Sequence, residues 1–139
     1  MRKQTLLSIA LGSTIAIATP ALADLDKNAY QLSSHVLDIS TGKPAPNINI
    51  KLMVQDNGNW KLLDTKTTDE GGRVNDFLPN NSDHDGVYKL IFETTPYFSK
   101  QGVDSFYPYV EVNFKINDDN HYHVPITLSP YGYSTYKGS

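Results

Sequence analysis

The 139-residue chain contains no cysteine, so no disulfide can stabilise it. Small exported domains often rely on disulfides, and here stability must come from packing or from oligomerisation. The sequence also lacks a run of about 20 consecutive apolar residues, which a membrane-spanning helix needs. Its longest apolar run, from Leu6 to Ala18, is too short and is interrupted at Gly12 to Thr14.

The first 23 residues carry the features of an export signal. Residues 1–23 combine Arg2 and Lys3, the apolar run and the ending Ala21-Leu22-Ala23, which is the pattern of a secretory signal peptide. We expect removal of residues 1–23 and export. The brevity of the signal and the missing disulfides favour a bacterial periplasm.

The mature chain is then residues 24–139, a length that fits one domain. Removing Arg2 and Lys3 from the 12 basic side chains leaves 10 against 15 acidic ones, a net charge near −5. This balance disfavours nucleic acid and anionic membranes as partners.

Apolar and polar side chains alternate with a period of two through much of the mature chain, which is the pattern of half-buried strands. The segments between the strands are rich in turn-forming residues. Seven or eight short strands in one domain predict an all-β sandwich or barrel. The clearest apolar rows run from Ile48 to Val54, Tyr88 to Phe92, Val110 to Ile116 and Tyr122 to Leu128.

One short helix is predicted among the strands, from Pro96 to Gln101. Proline is favoured at the first helical position, and Thr95 before it is a candidate N-cap. Gly102 follows the predicted helix and favours its termination there.

Two histidines on predicted strands are the first candidates for chemistry. His123 alternates with an apolar row that includes Val124, so it faces away from the core. Around His35 neither row is purely polar, and its orientation stays open. Such histidines are either solvated surface groups or, where another subunit covers them, general bases near neutral pH. Arg73 is a candidate fixed positive charge.

A zinc site is an alternative, because the pair His121 and His123 lies on one face of a strand and His35 offers a third ligand. The chain has no second H-x-H, no HExxH and no neighbouring carboxylate cluster, and we predict no metal. A serine hydrolase is disfavoured as well, since G-x-S-x-G and an obvious acid partner are lacking.

The segment HYHVPITLSPYGYSTYKGS, from His121 to Ser139, closely resembles the C-terminal signature of the transthyretin-related 5-hydroxyisourate hydrolases. The resemblance continues in SSHVLDISTGKPAPNI from Ser33, TTDEGGRV from Thr67 and YFSKQGVDSFYP from Tyr97. It covers essentially the whole mature chain. It implies a transthyretin-like β-sandwich of about eight strands with one short helix, assembled as a homotetramer with active sites between dimers.

The resemblance also implies site residues. The family's two histidines fall on His35 and His123 and its arginine on Arg73, while His121 has no catalytic role. The family's terminal Tyr-Arg-Gly-Ser segment, which binds substrate, falls on Tyr136, Lys137, Gly138 and Ser139. Lys137 departs from the family pattern, because a flexible ammonium keeps the charge but loses the bidentate geometry of a guanidinium.

The implied activity is hydrolysis of 5-hydroxyisourate to 2-oxo-4-hydroxy-4-carboxy-5-ureidoimidazoline in urate breakdown, without metal or organic cofactor. One of the two histidines would take a proton from water, and the other would orient water or substrate; the assignment of these two roles stays open. Arg73 would stabilise negative charge, and Ser139 would close the site. The alternative is a non-catalytic transthyretin-like carrier of a small ligand. The hormone-carrying transthyretin lacks the histidine pair and the Tyr-Arg-Gly-Ser ending, so the chain resembles the enzyme branch.

Overall fold

The computed structural model describes Gly12 and residues 29–139. Apart from Gly12, the predicted signal peptide lies outside the described residues, as does its cleavage before Asp24. No helix in the described part of the chain is long and apolar enough to cross a membrane.

The described residues contain ten complete strands and one complete helix: β1 (Tyr30–Asp38), β2 (Lys43–Pro44), β3 (Asn49–Asp56), β4 (Asn59–Thr67), β5 (Arg73–Pro79), β6 (Gly86–Phe92), α1 (Thr95–Ser99), β7 (Val110–Ile116), β8 (Tyr122–His123), β9 (Ile126–Ser129) and β10 (Gly132–Thr135).

The strands form two sheets around one hydrophobic core. Four antiparallel strands make the first sheet, in the order β4-β3-β6-β7. In the second sheet β1 is central: it pairs antiparallel with β2 and β5 and parallel with β8 and β9, and β10 pairs with β9. The predicted β-sandwich is confirmed. Since β2 and β8 have two residues each, the longer strands number eight, as expected.

The alternating rows predicted in the four-stranded sheet face the core. Tyr88, Leu90 and Phe92 of β6 are at most 3% exposed, and burying side chains of this size contributes about 1.5 to 3 kcal/mol each. The turn between β3 and β4 is formed by Asn57 and Gly58, with φ of 49° and 80°. Positive φ at both central residues is what a two-residue hairpin requires.

The row from Tyr122 to Leu128, predicted as one strand, is divided in two. β8 ends at His123 and β9 begins at Ile126. Pro125 lies between them, and proline has no N–H to donate to a ladder. Pro125 is buried within the single chain, although alternation predicts it on the outer face.

The central strand β1 faces the core with a row that contains polar side chains. Ser34, Val36 and Asp38 are each 0% exposed. The Ser34 hydroxyl donates to the carbonyl oxygen of Val124 at 2.8 Å. The Asp38 carboxylate accepts a 2.7 Å hydrogen bond from the Tyr97 hydroxyl of α1. These partners allow polar groups in the core row, since a buried polar group costs little once it is hydrogen-bonded.

The helix α1 lies close to its predicted position, but its predicted cap is wrong. The helix includes Thr95, and the N-cap is Thr94, whose side chain makes no capping hydrogen bond. The Thr95 hydroxyl donates to the carbonyl oxygen of Pro108 at 2.6 Å, so it ties the helix to the following loop. Gly102 follows the helix with φ of 67°, as a C-terminal glycine should. Phe98, 2% exposed, anchors α1 in the core.

Candidate active site

His35 and Arg73 are Cα partners across the antiparallel pair β1 and β5. Their neighbours Ser34 and Val74 are buried, at 0% and 3% exposed. Because successive residues of a strand point to opposite faces, both His35 and Arg73 lie on the face turned away from the core. His35 is half-buried and Arg73 is exposed. The pairing brings together two side chains that the sequence analysis singled out separately.

A tight turn before β5 fixes the position of Arg73. Gly72 has φ of 71°, and a Cβ on it would lie 2.6 Å from the carbonyl oxygen of Val36, so only glycine fits. The Gly72 carbonyl accepts a 2.9 Å hydrogen bond from the Val36 N–H. The Asp69 carboxylate accepts hydrogen bonds from the N–H groups of Gly71 and Arg73, both at 2.9 Å. The turn therefore sets Arg73 opposite His35.

Burial lowers the pKa of His35 below its ordinary value of 6.5, and the positive charge of Arg73 lowers that pKa further. Weaker contributions from a hydrogen bond with the Gly71 backbone and the charge of Asp69 oppose the shift. The neutral imidazole, the form that can accept a proton, is therefore favoured near neutral pH.

His123 belongs to a chain of hydrogen bonds between β1 and the residues around β8. It lies opposite Ser33 in the parallel pair of β1 and β8. Its Nδ1 is 2.8 Å from Ser33 Oγ, which is 2.9 Å from Nε2 of His121. Nδ1 of His121 is in turn 2.9 Å from the carbonyl oxygen of Tyr30. A continuous chain thus leads from a backbone carbonyl to the imidazole of His123.

His35, Arg73 and His123 lie on one face of the six-stranded sheet. Ser33 and His35 are two residues apart in β1, so they share a face. Their partners across the neighbouring strands are His123 and Arg73. The sequence predicted the outward direction of His123 but left that of His35 open, and the register decides it.

The tail that follows the pairing of β10 with β9 reaches His123. Thr135 is opposite Ile126 in that pairing, and the same register places Gly138 opposite His123. The Gly138 N–H donates to the His123 carbonyl oxygen at 2.8 Å. A Cβ on Gly138 would lie 2.5 Å from Cδ2 of the imidazole. Only glycine therefore allows the tail to lie directly against this ring.

Lys137 is turned away from His123. Its Nζ lies 5.5 Å from the centre of the Tyr122 ring, a cation–π distance, and Tyr122 points to the opposite face from its neighbour His123. Lys137 and Tyr136 line a cavity of about 420 Å³ that β7 bounds with Val112 to Lys115. Of the four tail residues predicted to bind substrate, Gly138 contacts His123 and Lys137 does not lie beside it. Tyr136 and Ser139 are exposed.

Sequence reasoning missed two residues, Ser33 and His121, that are linked to His123 by the series of hydrogen bonds. His121 was considered only as a zinc ligand and given no catalytic role, and Ser33 was not considered beyond the resemblance. The spacing of Ser33 two residues before His35, and of His121 two before His123, places each on the same face as its neighbour. Within the described residues, no group of three His, Cys, Asp or Glu side chains could hold a metal ion.

Residues 32–138 match the model of the HIUase/Transthyretin family. The chain belongs to this family. A probable 5-hydroxyisourate hydrolase of Caenorhabditis elegans is 49% identical over 109 residues, which cover 78% of this chain and 81% of the relative. A solved structure of Klebsiella pneumoniae 5-hydroxyisourate hydrolase is 35% identical, with a TM-score of 0.69, over 78% of this chain and 98% of that one.

The shared fold does not separate the hydrolases of the HIUase/Transthyretin family from its carriers. Sea bream transthyretin in complex with thyroxine has a TM-score of 0.74 at 29% identity, over 78% of this chain and 94% of that one. This TM-score is higher than the 0.69 of the Klebsiella hydrolase. The side chains of the site must therefore carry the functional assignment.

Proposed function

We propose that the protein is a 5-hydroxyisourate hydrolase, a cyclic amide hydrolase of urate breakdown. The observation that carries the proposal is the placement of His35, Arg73 and His123 on one sheet face, with the tail held against His123 at Gly138. The names of the Caenorhabditis and Klebsiella relatives support the same activity. A carrier needs neither a general base nor an arginine placed opposite a second histidine.

The proposed reaction opens a ring by attack of water on an amide-type carbonyl carbon. His123 takes the proton of the attacking water at Nε2. Arg73 stabilises the negative charge that develops on the carbonyl oxygen, and His35, neutral beside Arg73, orients water or substrate. The ring C–N bond then breaks, and the proton held by His123 passes to the leaving nitrogen. These steps use side chains alone and need no cofactor.

The tail residues are proposed to form the substrate-binding wall of the site. Gly138 supplies close backbone contact with His123. Tyr136 and Ser139 are exposed and available to a substrate or to a neighbouring subunit. Lys137 keeps a positive charge in the tail. Because its ammonium group lies over the Tyr122 ring, we expect it to contribute to substrate binding indirectly, by holding the tail in position.

We also propose that the protein is a homotetramer. Phe106 and Tyr131 are 72% and 73% exposed, and Tyr136 is 58% exposed; exposed aromatics of this size favour burial against another chain. Light scattering of the mature protein should give four times the mass of one chain. A fully active monomer would contradict a site that lies between subunits.

Export to the periplasm is proposed from the signal pattern of residues 1–23 and from the missing disulfides. Expression of the full chain in a bacterium, followed by fractionation and N-terminal sequencing, tests it. The expected product is periplasmic and begins at Asp24. An uncleaved cytoplasmic product would contradict the proposal.

The activity is tested by generating 5-hydroxyisourate from urate with uricase and following its absorbance. The protein should accelerate the loss of this absorbance well above the spontaneous rate. Alanine at His123 or Arg73 should lower turnover by about 10² to 10⁴ and leave the thermal midpoint nearly unchanged, since both residues lie outside the core. Tight ligand binding without turnover would instead favour the carrier.

A further inference from the structure

A buried hydroxyl and a second histidine stand behind the proposed general base. Ser33 is 6% exposed and His121 is half-buried, so bulk water has little access to the bonds between them. Ser33 Oγ lies within 2.9 Å of Nε2 of His121 and 2.8 Å of Nδ1 of His123. Neither residue belongs to the set that the proposed reaction uses.

The direction of these hydrogen bonds follows from their partners. The carbonyl oxygen of Tyr30 can only accept, so Nδ1 of His121, at 2.9 Å, carries a proton. In a neutral imidazole Nε2 of His121 is then an acceptor, and the hydroxyl of Ser33 donates to it. The Ser33 oxygen, having used its proton, accepts from Nδ1–H of His123. Nε2 of His123 is therefore the nitrogen with the lone pair.

This arrangement selects one of two tautomers. A free histidine side chain favours the proton on Nε2, which would leave that nitrogen unable to accept another. The hydrogen bond at one ring nitrogen determines which nitrogen is protonated, and here it favours Nδ1–H. The pairing of Ser33 with His123 in the register of β1 and β8 holds the hydroxyl where it can make this selection.

We propose that Ser33 and His121 are positioning residues that hold His123 in its Nδ1–H tautomer and so keep Nε2 ready to accept the proton of water. The inference rests on the proposed function, in which His123 is the general base. It concerns the tautomer of His123 and requires no proton to travel through His121.

The test combines ¹⁵N NMR of the histidine rings with kinetics, at about pH 8, where histidine side chains are ordinarily neutral. Long-range ¹H–¹⁵N correlations report which ring nitrogen carries the proton. The wild-type protein should show His123 protonated at Nδ1. Ser33→Ala and His121→Phe should shift His123 toward the Nε2–H tautomer and lower kcat about tenfold, with little change in KM.

Two further variants serve as controls. Ser34→Ala removes a hydroxyl with an equally short 2.8 Å hydrogen bond from the next residue of β1, on the core side, and should leave the tautomer and KM unchanged. His121→Gln offers an amide oxygen as an acceptor for Ser33, so it should keep the Nδ1–H tautomer and most of kcat. A proton relay through His121 predicts the opposite for glutamine.

Three results would overturn the inference. The first is a wild-type His123 protonated at Nε2, and the second is a Ser33→Ala variant in which the tautomer of His123 is unchanged. The third is a variant whose His123 tautomer changes while its kcat does not, provided that His123→Ala is inactive. The NMR measurement needs no substrate. A wild-type protein without turnover would therefore refute the proposed function, and the tautomer of His123 in the variants would still test the positioning by Ser33 and His121.

Discussion

The contact of the tail with the proposed base makes Gly138→Ala the sharpest test of the site. The added Cβ would lie 2.5 Å from Cδ2 of His123 and 3.0 Å from Cβ and Cγ of the same residue. Carbon atoms in contact are ordinarily about 3.5 to 4.0 Å apart. Either the imidazole or the tail must therefore move by about 1 Å.

A displacement of this size should lower turnover by about 100-fold, because a 1 Å error in the position of a catalytic group has an effect of that order. The fold should be affected much less. Gly138 is half-buried at the end of the tail, and the largest loss is its hydrogen bond to the His123 carbonyl, about 1 kcal/mol. The thermal midpoint should fall by about 5 °C at most.

The assay is the uricase-coupled loss of 5-hydroxyisourate, measured together with thermal unfolding. Gly132→Ala is the matched control, since a Cβ there would meet only Ser129 Oγ at 3.7 Å, an ordinary contact. Gly132→Ala should retain turnover within about threefold of wild type. Wild-type turnover by Gly138→Ala would refute the reasoning that the tail must pack against the ring of His123.

The remaining predictions concern the neighbours of the site. Arg73→Gln should raise the pKa of His35, because it removes a positive charge that disfavours the imidazolium; an unchanged NMR titration midpoint would contradict this. Gly72→Ala should destabilise the fold by about 2 to 5 kcal/mol in denaturant unfolding, since its Cβ would meet Val36 at a strained φ, and a loss under about 1 kcal/mol would count against it. Lys137→Arg should keep turnover within about threefold, because a guanidinium also packs on an aromatic ring; a tenfold change would assign the ammonium a direct role. Chelators should leave turnover unchanged, whereas a loss restored by zinc would revive the metal hypothesis.

Three strands of the four-stranded sheet, β3, β6 and β7, could be predicted from the sequence because each carries a regular apolar row, whereas the largely exposed β4 carries none. Leu90 and its neighbours in β6 alternate regularly, and Asn57-Gly58 specifies its own turn. Around Pro125 the same alternation predicts one strand where two exist. The missing N–H of proline interrupts the ladder there, and a count of apolar positions does not register a missing donor.

The central strand β1 shows why the site was harder to predict. Its core row contains Ser34 and Asp38, which look like surface residues until their partners are known. These partners, the Val124 carbonyl and the Tyr97 hydroxyl, come from segments far along the chain. A strand pattern reports which face a residue shares with its neighbours, but burial of a polar group depends on whether a distant group satisfies it.

The same distinction applies to the proposed positioning of His123. The spacing of His121 and His123 shows that the two imidazoles share a face, and this alone suits a metal ligand pair as well as a general base with a supporting residue. Ser33 separates the two hypotheses, because its hydroxyl lies within hydrogen-bond distance of both rings. Ser33 is 90 positions from His123 and meets it only through the parallel register of β1 and β8. The chemistry of His123 therefore depends on how β1 and β8 pair, and that pairing cannot be predicted from the alternation within either strand.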